Sequence, residues 1–223
     1  MKRRVGIAVW VVATGCYTST LSTGGEDTYK YFPLDGDRTW TYQSTDTSLP
    51  YRLIAHKPVD SVADEATSTR VFTITFTPDC QSALEPCLVD ADGDLIPDFE
   101  GEPLMTWQVS SDSVAGMLFH GFDDTAYAPP VTLASADQSA DEVVTSESGG
   151  VSFSSSLLAT EPCDVPYWRS DQPDGCKTFQ LDDGGAGSPI AGEYIAIVQF
   201  GIVSFSQGGS ESAWELQAYE DEL

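Results

Sequence analysis

Across residues 69–77 the chain alternates strictly, with Phe72, Ile74 and Phe76 on one side and Val71, Thr73 and Thr75 on the other. Successive side chains of a β-strand point to opposite faces, so this period of two predicts a strand with one face in a core and the other at least partly wet. Further strands are predicted over residues 51–57, 103–110, 114–120, 142–146, 151–158 and 177–181. Residues 193–205 are apolar on both faces, with Tyr194, Ala196, Val198 and Phe200 opposing Ile195 and Ile197, and read as one central strand that Gly201 bends. Gln207-Gly208-Gly209-Ser210 then turns the chain into a last strand.

No stretch beyond the N-terminal segment carries a helical stripe. Short strands with turn signals between them predict an all-β fold: a single antiparallel curved sheet, closed to a half-barrel or barrel, with a sandwich as the alternative. The polar stretches 123–130, 133–141 and 181–189 read as loops, and none is repetitive enough to mark a second domain.

The N-terminus sets an address. Met1-Lys2-Arg3-Arg4 forms a basic head, residues 5–13 are apolar, and small residues precede Cys16, which is the pattern of an export signal. The apolar run falls short of the about 20 residues that cross a bilayer. Val12-Ala13-Thr14-Gly15-Cys16 resembles the bacterial lipobox, with Ala13 standing where leucine is usual. That resemblance implies an acylated Cys16 at the start of the mature chain, anchored to a membrane by roughly 0.8 kcal/mol per buried methylene. Tyr17 replaces the aspartate that retains many such lipoproteins at the inner membrane, which implies the outer membrane of a bacterial envelope. The expected organisation is a signal peptide over 1–15, the acylated cysteine and a polar tether over 16–29, and a single β-domain over 30–223.

The domain opens with Tyr31-Phe32-Pro33-Leu34-Asp35-Gly36 and Trp40-Thr41-Tyr42, and ends with a glycine-interrupted apolar stretch and Leu216-Gln217-Ala218-Tyr219. In these motifs the chain resembles a loosely defined group of bacterial surface lipoproteins, many without assigned activity. The likeness covers both ends rather than the middle and rests on scaffold residues. It implies a fold family and no reaction.

Charge narrows the partners. The chain has a formal net charge of −25, and removal of Lys2, Arg3 and Arg4 leaves the exported form more acidic still. Such a surface repels nucleic acid and anionic headgroups while it keeps the protein soluble, so no nucleic-acid partner is expected and the membrane is reached through the lipid on Cys16.

Four cysteines follow Cys16: Cys80, Cys87, Cys163 and Cys176. An even number in an exported chain predicts disulfides, and proximity favours Cys80 with Cys87 and Cys163 with Cys176. Loop closure of this size is worth about 2.5–3 kcal/mol before strain. Neither pair has the short ligand gap of common structural zinc sites.

The most chemically suggestive segment is Asp90-Ala91-Asp92-Gly93-Asp94-Leu95-Ile96-Pro97-Asp98-Phe99-Glu100. Its aspartates resemble the acidic calcium loops of EF-hand-like and thrombospondin type 3 repeats, which implies a Ca²⁺ ion held by Asp90, Asp92, Asp94, Asp98 and Glu100. Leu95 stands where those loops carry glycine, and Gly101 where many carry glutamate. A plain hairpin turning at Asp92-Gly93, with solvated aspartates, accounts for the same residues, and both readings stay open.

Catalytic signals are sparse. His56 and His120 each end a predicted strand without a metal-ligand pattern around them. No nucleophile elbow or phosphate-cradling loop is present, and Asp183-Gly184-Gly185-Ala186-Gly187 opens no helix. Trp40, Tyr42, Trp107, Trp168, Tyr194 and Trp214 read chiefly as core, with a cavity lining as the alternative. Tyr167, Trp168 and Arg169, between two cysteines, form a candidate aromatic and cationic contact surface. The chain therefore reads as a lipid-anchored envelope β-domain, a non-enzymatic binding or structural module with optional calcium. Two alternatives remain: a secreted hydrolase using carboxylates or His120 in a sheet cavity, and a carrier whose sheet encloses an apolar ligand.

Overall fold

The strictly alternating segment lies within β4 (Thr69–Asp79), which buries Phe72, Ile74 and Phe76 as the period of two requires. In the computed structural model the described residues are 37–46, 49, 52–58, 61–64, 69–79, 103–112, 115–161, 176–197 and 201–222, and no helix occurs among them. Before β4 come β1 (Asp37–Ser44), β2 (Arg52–Lys57) and the short β3 (Ser61–Asp64). After it come β5 (Met105–Asp112), β6 (Gly116–Phe122), β7 (Thr125–Ala134), β8 (Val143–Ser148) and β9 (Val151–Glu161). The chain closes with β10 (Cys176–Asp182), β11 (Gly192–Ile197), β12 (Gly201–Gln207) and β13 (Trp214–Glu222).

All ladders are antiparallel, in the order β7-β6-β5-β4-β2-β1-β13-β12-β11-β10-β9-β8, with β3 paired to β4 off this path. Apart from the side strand β3, neighbours in the sheet are neighbours in sequence, except where the terminal strands β1 and β13 meet. The two ends of the path, β7 and β8, lie against each other without a ladder. The sheet is thus nearly closed into a barrel with one unsealed seam, and the all-β expectation holds in its barrel form.

The inward rows fill the interior. Phe76 stacks on Trp107 with ring centroids 4.5 Å apart, and Trp107 meets Phe205 at 5.1 Å and Tyr194 at 6.2 Å. Rings from β4, β5 and β6 therefore touch rings from β11 and β12 across the barrel, and Tyr42 joins them at 5.2 Å from Phe205. Each buried aromatic side chain contributes about 1.5–3 kcal/mol by burial. The pairs add about 0.5–1.5 kcal/mol beyond that. The Tyr42 hydroxyl donates to the Ile202 carbonyl at 2.7 Å, beyond the point where the short β12–β13 ladder ends at Ser204.

Three sequence expectations change. The described part of 193–205 belongs to two antiparallel strands: β11 pairs with β12, with Ile197 opposite Gly201, and the irregularity falls between Ile195 and Ala196. The two-faced apolar run reflects two paired strands that bury Tyr194, Ala196 and Ile197 on one and residues 201–205 on the other. The stretches 123–130 and 133–141, read as loops, overlap β7 at residues 125–130 and 133–134, and Pro129 and Pro130 masked the pattern. Proline cannot donate to a ladder and is confined to edges and bulges. In β7 it occupies an excursion between Ala126 and Val131, where β6 offers only His120 between the partners Gly121 and Phe119. The short strand β3 was also unmarked by periodicity.

Gly116, at the start of β6, requires its lack of a side chain. Its φ is 83°, and a Cβ there would sit 1.9 Å from the Ala134 carbonyl oxygen.

Candidate functional site

Strands that alternate in direction sort the connections onto two rims. One rim carries the β6–β7 turn, the Gly149-Gly150 turn between β8 and β9, the β10–β11 connection 183–191 and the β12–β13 turn 208–213. β4 ends and β5 begins at this Gly149 rim. The opposite rim carries the β5–β6 turn, the β7–β8 connection 135–142, the end of β9 at Glu161 and the start of β10 at Cys176.

The seam differs between the rims. Toward Cys176, side chains replace the missing ladder. The Thr132 amide donates to Ser146 Oγ at 3.1 Å, and the Ser155 hydroxyl donates to the Leu133 carbonyl. Buried Gln138 donates to the carbonyls of Ser155 at 2.9 Å and Glu142 at 3.3 Å, and accepts from the Ser135 amide at 3.1 Å. All these bonds involve Thr132, Leu133 or residues of the connection that follows. Toward the Gly149 rim a cleft of about 240 Å³ opens between the start of β7 and the β8–β9 turn.

The β10–β11 connection supplies the third wall of this cleft. Asp183 organises it: its carboxylate accepts from the Ser188 amide and, at 2.9 Å, from the Gly185 amide. The Ser188 amide bond, with help from those of Gly185 and Ala186, outweighs burial and holds the Asp183 carboxyl below the usual carboxylate value. The connection is rooted in the core by Ile190, whose carbonyl accepts from the Tyr194 hydroxyl at 2.6 Å. Burial pushes the Tyr194 phenol far up, so it stays a neutral donor. The Ser188 hydroxyl reaches the Tyr127 hydroxyl at 3.3 Å and ties the connection to β7.

Pro189 also borders a second cleft of about 270 Å³ on its other side. There Met105, Phe122, Phe205 and Trp214 form an apolar wall and Gln207 and Ser212 supply polar groups. Gln207 donates to the Tyr194 hydroxyl at 2.7 Å, so one buried phenol steadies both the connection and this wall. Among the described residues, neither cleft is lined by a histidine, carboxylate, cysteine or cation. The seam cleft is lined by hydroxyls on an aromatic floor, and the Ser148 hydroxyl there is buried with no hydrogen-bond partner among the described residues.

Of the residues singled out in the sequence, Cys176 lies on β10, buried and disulfide-bonded. Cys16, Cys80, Cys87 and Cys163 lie outside the described residues, as do Asp90, Asp92, Asp94, Asp98 and Glu100 and the Tyr167, Trp168 and Arg169 group. Among the described residues no group of three His, Cys, Asp or Glu side chains is placed to hold a metal ion. His56 pairs with Asp37 at 2.8 Å on an exposed part of the surface. His120 contacts the Ser110 hydroxyl at 2.8 Å. Alternation along β5 puts Ser110 on the face opposite Trp107 and Val109, so the pair stands outside the aromatic interior.

Trp40, Tyr42, Trp107 and Tyr194 are core residues, whereas Trp214 is only partly buried and lines the second cleft. Tyr127, Ser148 and Ser188 carried no motif. A usable sign was Asp183 followed by glycines, because an aspartate that accepts from nearby amides is a local turn signal. No helix among the described residues is long and apolar enough to cross a membrane, which leaves membrane crossing by strands unaddressed. No protein-family model, no curated protein and no solved structure matches this chain.

Proposed function

We propose that this chain is a lipid-anchored protein of the bacterial cell envelope, held through acylated Cys16 at the outer membrane, that acts as a non-enzymatic binding module through its Gly149 rim. The observation that carries this reading is the contrast between an aromatic-filled interior and the two clefts that described residues form at this rim. A carrier of an apolar ligand calls for an empty apolar interior, and Phe76, Trp107, Tyr194 and Phe205 occupy that space. A hydrolase calls for a titratable group facing a cleft, whereas His120 is engaged with Ser110 and the clefts present hydroxyls, an amide and aromatic rings. The basic head, the apolar run and the lipobox-like junction support the anchor.

A Ca²⁺ ion bound by Asp90, Asp92, Asp94, Asp98 and Glu100 belongs to the same proposal. The described residues that flank this segment, Asp79 and Pro103, stand at the binding rim, so an ion there would stiffen that end of the barrel. The anchor is tested by metabolic palmitate labelling in a bacterial host. Label in the wild type that disappears in Cys16→Ser is expected; equal labelling, or none in either, defeats the anchored reading.

A further inference from the structure

We propose that the open end of the β7–β8 seam is a binding site for one uncharged, hydroxyl-bearing ring, the chemistry of a neutral saccharide unit. The inference rests on the binding-module reading of the Gly149 rim and is independent of the lipid anchor. Volume sets the scale. The cleft, about 240 Å³, lies below the roughly 300–1,000 Å³ of sites that enclose drug-sized molecules, so it seats a single ring with the rest of the ligand outside.

Lining sets the chemistry. Tyr127 and Phe153, with ring centroids 6.0 Å apart and nearly perpendicular, form the aromatic base of the cleft, where Tyr127, the less buried of the two, offers an apolar contact to such a ring. Thr125, Ser148 and Ser188 surround it with hydroxyls that both donate and accept, as a polyol demands. Ser148 is the most telling of these. The residue is only 4% exposed, and its hydroxyl has no hydrogen-bond partner among the described residues. A buried polar group without a partner is costly, and a ligand hydroxyl in the cleft would relieve that cost once the Ser148 side chain turns toward it. The 3.3 Å contact between the Tyr127 and Ser188 hydroxyls is long for a hydroxyl pair, which leaves both able to turn toward a ligand.

Charge removes the alternatives. Among the described residues the lining offers no cation to an anionic ligand and no carboxylate to a cationic one, and the net charge of −25 works against anions throughout. The walls are already in place. Side-chain bonds close the far half of the seam, and Asp183 pins the β10–β11 connection opposite, so little ordering is left for the ligand to impose.

The test is ligand-observed NMR and calorimetry on the full chain with maltose, cellobiose and N,N′-diacetylchitobiose, and with glucuronic acid as the charged control. At least one neutral disaccharide should bind with millimolar or tighter affinity, and glucuronic acid more weakly. Ser148→Ala and Tyr127→Phe each remove one hydrogen-bonding hydroxyl, so each should weaken binding about three- to tenfold. The melting temperature of Ser148→Ala should stay level or rise, which separates lost binding from lost folding. No binding by any of the three disaccharides to folded protein overturns the proposal. So does binding that survives both substitutions but is lost in Trp214→Ala, which would move the ligand to the neighbouring cleft. Either result leaves the palmitate experiment untouched, and a failed palmitate experiment leaves this site untouched.

Discussion

The barrel is closed in two places by two kinds of chemistry. At β1–β13 the first and last strands pair through a backbone ladder from Asp37↔Glu222 to Ser44↔Trp214, interrupted only between Thr41 and Tyr42. At β7–β8 strands joined by a short connection come together without a ladder, and Ser146, Ser155 and Gln138 close half of the gap. Backbone pairing tolerates most side chains, since every residue but proline brings its own donor and acceptor. Closure by side chains depends on particular residues at particular positions. It also need not run the full length of the strands, and the unfilled remainder is the seam cleft. One closure builds the scaffold and the other leaves a site.

The sharpest way to break this comparison is to remove packing at the laddered closure. Trp40 on β1 is fully buried and its ring lies 5.9 Å from that of Tyr219 on β13. Trp40→Ala should lower unfolding free energy by about 3–5 kcal/mol, read from urea denaturation. If it costs no more than a substitution in the seam, the terminal closure is not the stronger of the two.

Seam substitutions should cost less and act locally. Gln138→Ala strands the Ser155 carbonyl and the Ser135 amide and should cost about 1–3 kcal/mol. Ser146→Ala removes one acceptor and should cost about 0.5–1.5 kcal/mol. Amide hydrogen exchange gives the discriminating measurement: Thr132 should exchange faster in Ser146→Ala while β1 and β13 amides keep their protection. Equal acceleration in both places would mean that the seam and the ladder open as one unit.

The smallest expected effect concerns acid. The Asp183 carboxyl titrates below its ordinary value of 3.8, so its contribution is complete above that value and fades as pH falls through the depressed one. The β10–β11 connection should therefore loosen at low pH, with the Gly185 and Ser188 amides losing protection first. In Asp183→Ala these amides should be weakly protected at every pH. An acid transition that persists in that variant would assign it to another group.

Legibility in the sequence followed locality. The alternation of Phe72, Ile74 and Phe76 identified β4, and similar patterns marked β2, β5, β6, β8, β9 and β10, because burial of one strand face is written into consecutive residues. Residues 193–205 misled for the same reason: two paired, largely buried strands and a single central strand carry the same run of apolar residues, and only pairing tells them apart. Pro129 and Pro130 hid β7, since a strand that tolerates them exists only beside a partner that does not need their missing donors.

The seam cleft was not legible at all. Its walls come from Tyr127, from Ser148 and Phe153, and from Ser188, segments that no motif connects. The amino-acid sequence by itself determined that this chain forms strands, where most of them run, how acidic the surface is and which N-terminal residues carry the export pattern. Only the tertiary structure decided that β1 meets β13 in a ladder, that β7 meets β8 without one, and that a cleft remains at one rim. Strand formation depends on side chains two residues apart, whereas closure depends on register, twist and donors supplied by residues far apart in the chain.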